Sequence, residues 1–329
     1  MKRAAQAGAA LLAAMLTVTL VATFAAAALW QQWRSVEVEA ADRTRVQSSW
    51  ILTGALDWAR LILREDRNRF DHLGEPWAVP LQEARLSTFL AADAANNADT
   101  GDADQVFLSG EITDLQSRLN LGNLVRAGNL DKDWVEVARR LFEVLGLPPS
   151  QLANMAENLR FASDIAVDNR NASRAALTPQ RLEQLAWLGL PPQTIAVLEP
   201  YVTLLPTTGQ PGTVPTVNVN TAPAQVIYAA VPGISLADAQ RLVAERERKP
   251  FQALADVKAL LPEGAELAAS RVYVATSFFE VRGRLRMDDV TIEERSIVQR
   301  VTLGQEVRTL QRERVAPSPP TAPATRRNP

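Results

Sequence analysis

The chain has 329 residues, with 35 Lys and Arg against 37 Asp and Glu, a single His, no Cys and 47% hydrophobic residues. That is length for about two domains, and the composition excludes both a polytopic membrane protein and a wholly disordered chain. Disulfides, thiolate nucleophiles and Cys-ligated zinc are ruled out, His72 has no second imidazole to work with, and a net charge of -2 gives no global attraction to nucleic acid or anionic lipid.

Lys2 and Arg3 open the chain, and an uncharged stretch runs from Ala4 to Trp33, apolar between Ala9 and Trp30. Those 22 residues rise roughly 33 Å as a helix, enough for a hydrocarbon core of about 30 Å. A cleaved secretory signal is the alternative, because Ala25 to Ala28 offer small residues for cleavage, but the apolar region of a signal spans only ~7 to 15 residues. No Pro occurs before Pro76, and Ile51, Ala55, Trp58, Ala59 and Ile62 keep the one-sided spacing of an amphipathic helix. One helix is therefore predicted from Ala9 to about Asn68, roughly 90 Å long. Nine of its first 22 residues are Ala, interspersed with Thr17, Thr19 and Thr23, which weakens the span in lipid and lets helices approach closely.

Asp71 to Ala78 (DHLGEPWA) reads as a polar helix end with Trp77 entering the core, a reading preferred over any catalytic role for His72 and Glu75. Residues 91–105 are small and polar and predict a loop. Within it Asp99, Asp102 and Asp104 offer hard oxygen ligands, which makes calcium the one cofactor candidate; the spacing is not that of an EF-hand and no Glu closes it, so a solvated acidic loop is the other reading. Val106 to Leu108 predicts a strand, and Asp114 to Leu121 a turn leading out of it.

From about Leu121 to Leu261 the pattern is helical in short pieces. Trp134, Ala138, Leu141, Phe142 and Leu145 share a face, with Asp131 as cap and Gly146 and Pro148 as stop; Thr178-Pro179 is read as starting another helix that Pro191-Pro192 ends. Val217 to Ala224 (VNVNTAPA), with Pro232, Gly233, Ile234 and Ser235 and then Leu236 to Ala239 after it, has the form of a helix-hairpin-helix, with Thr221 and Ser235 as caps and Gly233 allowing the tight connection. Such a hairpin can hold a phosphate on its backbone N–H groups. The charge from Val217 to Leu260 is only +1, too little to neutralise a nucleic-acid backbone, so a structural use of the hairpin is preferred.

From Arg271 the period becomes two. Phe279, Val281, Leu285 and Met287 alternate with Glu280, Arg282, Arg284 and Arg286, Asp288 and Asp289 turn the chain, and Thr291 to Thr302 alternates again, predicting an antiparallel hairpin with one wet face. It should join the strand near Val106 and pack on the carboxyl half of the long helix. The fold class expected is α+β: a long N-terminal helix on a small antiparallel sheet, interrupted by a large all-helical lobe.

A basic leader ending in Gly8, then Ala9-Ala10-Leu11-Leu12 and a long apolar helix, resembles the processing site of type IV pilin-like proteins. The slot that usually holds Glu in pilins, fifth from Ala9, holds Ala13. A carboxylate there would cost ~2.5 to 3.5 kcal/mol in the bilayer unless paired, and in that family it is thought to pair with the subunit ahead. Together with Asp71 to Ala78 and Asp114 to Leu121, these features resemble the general secretion pathway protein K family, the large minor pseudopilins of type II secretion. The resemblance implies cleavage after Gly8 by prepilin peptidase, N-methylation at Ala9, and a filament-tip subunit, not an enzyme, that starts and caps the pseudopilus for export across the outer membrane. It also implies a single span in the inner membrane, with the bulk in the periplasm of a Gram-negative bacterium. The partners implied are the other minor pseudopilins in a tip heterotrimer, the major pseudopilin, the secretin and exported substrates.

The expected division is leader 1–8, transmembrane and stem helix 9–70, first part of a pilin-like head 71–120, inserted helical lobe 121–262, returning strands 263–304 and a disordered Pro-rich tail 305–329. A membrane-anchored DNA-binding protein of the competence type, resting on the hairpin, is the alternative function. An envelope hydrolase using two carboxylates is a third class to which no residue points.

Overall fold

The computed structural model describes residues 2–91, 106–164, 176–205, 214–287, 290–302 and 306–316. In chain order these form α1 (Lys2–Glu65), β1 (Leu81–Arg85), α2 (Leu86–Ala91), β2 (Val106–Asp114), β3 (Leu119–Asn120), β4 (Val125–Arg126), β5 (Asn129–Leu130), α3 (Lys132–Val144), α4 (Pro149–Ala162) and α5 (Pro192–Leu198). Next come β6 (Val202–Thr203), β7 (Val217–Asn218), α6 (Ala224–Ala230), α7 (Leu236–Arg248), α8 (Leu254–Lys258), β8 (Val272–Tyr273), β9 (Phe278–Met287), β10 (Val290–Thr302) and β11 (Glu306–Val315). The chain divides into two compact units, Met1–Gly54 and Ala55–Pro329.

The first unit is helical throughout its described length. α1 ends at Glu65, short of the expected boundary at 70, because the Asp66 carboxylate accepts from the Asn68 N–H at 3.1 Å and turns the chain.

The second unit is built on a five-stranded antiparallel sheet in the order β1-β2-β9-β10-β11. Leu56, Ala59 and Leu63, one face of the last turns of α1, bury against Trp77, Phe279, Val281, Val298 and Val307. Trp77 meets Phe279 edge-on with ring centres 5.2 Å apart. Arg60 on the same helix donates to the Val307 carbonyl at 3.1 and 2.8 Å, tying α1 to the edge strand. Burial of each large side chain here contributes about 1.5–3 kcal/mol, so this face alone fixes the helix on the sheet.

Four expectations need correction. The tail does not begin at 305: residues 306–315 hold neither Gly nor Pro and pair along β10 as β11, and the Pro-rich composition that defines the tail starts only at Pro317. β1 adds an edge strand that its polar sequence, LQEAR, does not announce. The wet face of β9 and β10 is an ion-pair ladder in which Glu280 and Glu293 are each only 3% exposed. Glu280 bonds Arg282 at 2.6 Å and Arg295 at 2.7 Å, and Glu293 bonds Arg284 at 2.9 Å; on the opposite face, in line with Ser296 and Val298, Glu294 pairs with Arg312 of β11. Against the burial that would raise it, Arg295 and Arg282 hold the Glu280 carboxyl below its ordinary range. The turn predicted at Asp288 and Asp289 lies outside the described residues.

The fourth correction concerns the lobe, which leaves the sheet after β2 and returns at β9. It is mostly helical but also carries the short pairs β3–β6, β4–β5 and β7–β8, and its single core runs from Leu119 to Val274, beyond the expected limit at 262. α3 is capped as expected by Asp131, whose carboxylate accepts from the N–H groups of Asp133 and Trp134. Thr178-Pro179 starts no helix; the Thr178 hydroxyl donates to the Ala162 carbonyl, and a 3-10 turn comes after it at Leu182–Leu188. Pro191-Pro192 opens α5 instead of ending a helix, since a first-turn Pro gives up no intrahelical bond.

The β4–β5 connection places Ala127 at φ +50° next to Gly128 at +76°. Left-handed backbone at a residue with a Cβ is strained, and Asn is favoured there in two-residue hairpins. Ala127→Asn should raise unfolding stability by about 0.5–1 kcal/mol, read as a higher denaturant midpoint at unchanged slope.

Candidate functional site

The apolar segment of α1 carries no charged residue from Ala9 to Trp30, its side chains are exposed throughout, and 18 consecutive residues of the helix reach a mean hydropathy of 2.2, that of a membrane-spanning helix. Its only hydroxyls turn inward on the backbone. Thr17 donates to the Ala13 and Ala14 carbonyls at 3.1 and 2.8 Å, Thr19 to Met15 and Leu16 at 2.9 Å each, and Thr23 to Leu20 at 2.9 Å. Trp30 and Trp33 lie 5.7 Å apart and precede Arg34, the order of an interfacial belt. Gly8 and Ala9 are consecutive residues of α1, and Ala13 sits one turn further on.

In the lobe, Pro232, Gly233, Ile234 and Ser235 form the turn between α6 and α7. Gly233 has φ +83°, and a Cβ on it would lie 2.6 Å from the Gly264 carbonyl oxygen, so the turn is packed on the chain's own 262–266 segment. The Glu266 N–H donates to the Pro232 carbonyl at 2.9 Å. The start of α7, where a phosphate would sit, already holds a carboxylate: Asp238 accepts from the Ser235 N–H at 3.0 Å and from its hydroxyl at 2.7 Å. These bonds from Ser235 hold the Asp238 carboxyl below its usual value. The nearby Arg241 is paired with Asp238 at 3.0 Å and bonded to the Leu260 carbonyl. A polyanion would meet a fixed negative charge at this point.

Thr221, expected as a helix cap, has a different role, and Pro223 stands at the start of α6. Thr221 and its neighbours make the buried polar junction between sheet and lobe. Asp114, at the end of β2, accepts from the Gln116 N–H at 2.7 Å, the Asn218 amide at 2.9 Å and the Thr221 hydroxyl at 2.5 Å. Asn218 also donates to the Asp71 carbonyl at 3.2 Å, and Asn220 bonds Phe251 through both its amide and its oxygen at 2.8 and 2.9 Å. Asp71 accepts from the Thr276 N–H at 2.7 Å and pairs with Arg300, which also bonds Asp66 at 2.7 Å and the Thr276 carbonyl at 2.9 Å. Arg246 on α7 donates to the Val219 and Ala222 carbonyls at 2.6 and 2.5 Å. The signal available in the sequence was the Asn at every second place of an apolar run, Val217-Asn218-Val219-Asn220, which marks amides carried into a core.

Asp66, Asp71 and Glu75 bring carboxylate oxygens within 4.8 Å of one another, the spacing of a metal cage. Those oxygens are already taken. Arg300 fills the cation's place beside Asp66 and Asp71, while Glu75 accepts from Asn68 at 2.6 Å, the His72 N–H at 3.0 Å and the Trp77 indole at 2.7 Å. The cluster therefore does not fit a metal. The calcium candidates Asp99, Asp102 and Asp104 lie outside the described residues.

A family model described as type II secretion system (T2SS), protein K, matches residues 217–276, and a second model of the same description matches residues 117–207. A curated relative, type II secretion system protein K of Pseudomonas aeruginosa, is 28% identical over 312 aligned residues, covering 87% of this chain and 86% of the relative. Among solved structures, the GspK-GspI-GspJ complex from the enterotoxigenic Escherichia coli type 2 secretion system contains a chain of similar fold. The TM-score is 0.61 at 17% identity, over 84% of this chain and 99% of that one.

Thr221→Val keeps the volume but strips Asp114 of one of its two hydroxyl partners, Thr276 being the other. It should cost about 1–3 kcal/mol of unfolding free energy, measured by denaturant titration of the detergent-solubilised chain.

Proposed function

Because the chain belongs to the type II secretion system protein K family, we propose that it is the large minor pseudopilin that initiates and caps the pseudopilus for export across the outer membrane. The observation that carries this reading is an exposed, uncharged, bilayer-length helix in a chain whose α1 also packs through Leu56, Ala59 and Leu63 on a pilin-like sheet. Prepilin peptidase cuts after Gly8, and Ala9 becomes the methylated amino terminus. With Ala13 in place of an acid, the helix has no carboxylate to offer a subunit ahead of it, as befits the first subunit.

The chain sits in the inner membrane by one span, with the sheet and lobe in the periplasm. Its partners are the smaller minor pseudopilins, as in the complex of the structural neighbour, and then the major pseudopilin. On α1, Trp58 and Leu61 are 49% and 42% exposed, on the side away from Leu56, Ala59 and Leu63, and a neighbouring stem helix would cover them. The competence-type DNA-binding reading is disfavoured by the Asp238 carboxylate at the start of α7.

Gly8→Arg should leave an uncut precursor in the membrane and abolish secretion of reporter exoproteins; normal secretion with the leader still attached would refute the assignment. Trp58→Asp should reduce co-purification of the smaller pilin-like subunits at least tenfold, a loss of about 1.4 kcal/mol or more, with the melting temperature of the isolated protein unchanged.

A further inference from the structure

The junction between the sheet and the segment 217–276 holds more acid than base. The stretch after α1 supplies Asp66, Asp71 and Glu75, β2 supplies Asp114, and β10 supplies the guanidinium of Arg300, which pairs with Asp66 and Asp71. Across the junction the lobe presents the neutral Asn218 and Thr221, and the link before β9 presents Thr276. Arg246, on α7, has its donors on the Val219 and Ala222 carbonyls.

Among the described residues no Lys or Arg forms an ion pair with Asp114, although this side chain is only 2% exposed. A carboxylate in such surroundings is costly unless a cation compensates it, and the usual resolution is to take up a proton. The geometry provides for that proton. The Thr221 oxygen lies 2.5 Å from Asp114 Oδ2, and it has a second acceptor for its own hydrogen in the Asn218 carbonyl at 3.4 Å. Thr221 can thus accept from a protonated Asp114 while donating onward.

We propose that Asp114 is a neutral carboxylic acid in the folded protein at pH 7, and that its contact with Thr221 and Asn218 is a proton-linked latch holding the 217–276 segment to the sheet. The inference stands apart from the secretion assignment. Burial drives the Asp114 carboxyl upward against the bonds from Thr221, Thr276, Asn218 and Gln116, and burial raises Asp71 to about 7 against the pull of Arg300. Groups raised on folding stabilise fully below the ordinary carboxylate range, and that contribution is lost as pH climbs through their folded values. Alkaline conditions should therefore release the latch, while the apolar contact of Leu56, Ala59 and Leu63 with the sheet is indifferent to pH.

Two measurements on the full chain in detergent micelles test this. The infrared carbonyl band of protonated carboxyls at pH 7 should lose intensity in Asp114→Asn. Hydrogen exchange in the peptide covering 217–221, corrected for intrinsic rates, should quicken about tenfold or more between about pH 6 and 9 in the native protein, and in Asp114→Asn that acceleration should fall at least about threefold, Asp71 being the group that still titrates there. Asn mimics the neutral acid, so the variant is expected to fold; a variant unfolded at pH 7, an unchanged infrared band, or native-like pH dependence of exchange in the variant would each overturn the proposal.

Discussion

One guanidinium joins the stretch just after α1 to a strand 234 residues further along the chain. Arg300 leaves the sheet from β10, grips Asp66 and Asp71 just beyond the end of α1, and bonds the Thr276 carbonyl on the strand-to-lobe link. All three side chains are removed from water, so none tolerates the loss of its partners. Asp71 is the hinge pin of the arrangement, because its backbone meets Val274 and Asn218 while its side chain meets Arg300 and Thr276. These bonds tie the stem end, the sheet and the lobe at one point, beside the apolar contact that holds α1 on the sheet.

The same region explains how a lobe of this size can be inserted into a small sheet. β2 and β9 are neighbours with paired residues down to Asp114 and Phe279, so the chain departs and returns at adjacent points. Closing a long excursion between adjacent points costs little more than closing a short one. The parallel pair β7–β8 then clips the second half of the insertion shut at its base, with Val217 opposite Val272. The hairpin of α6 and α7 hangs from that clip, and its turn is taken up by internal packing against Gly264.

The strongly periodic pieces could be read in the sequence. The apolar run of α1, the face of α3 and the alternation of β9 and β10 follow from spacing alone, because each buries a single side. What escaped reading depended on tertiary partners. β11 has the same charged alternation as its neighbour, but its nearness to a Pro-rich end disguised it, and its Glu and Arg residues are matched only once β10 lies alongside. Pro191-Pro192 is ambiguous between stop and start until the next helix exists. Thr221 satisfies every local rule for a cap, and only the arrival of Asp114 from 107 residues away diverts its hydroxyl. The junction, the least local feature, was the least visible, though the alternating asparagines marked one half of it.

The threonines of the apolar helix have a consequence for traffic between environments. Each hydroxyl is bonded to a carbonyl of its own preceding turn, so none looks outward for a mate. A rod whose side-chain hydroxyls are matched internally can exchange a lipid coat for a sheath of neighbouring rods, or return, without those hydrogen bonds being broken on the way.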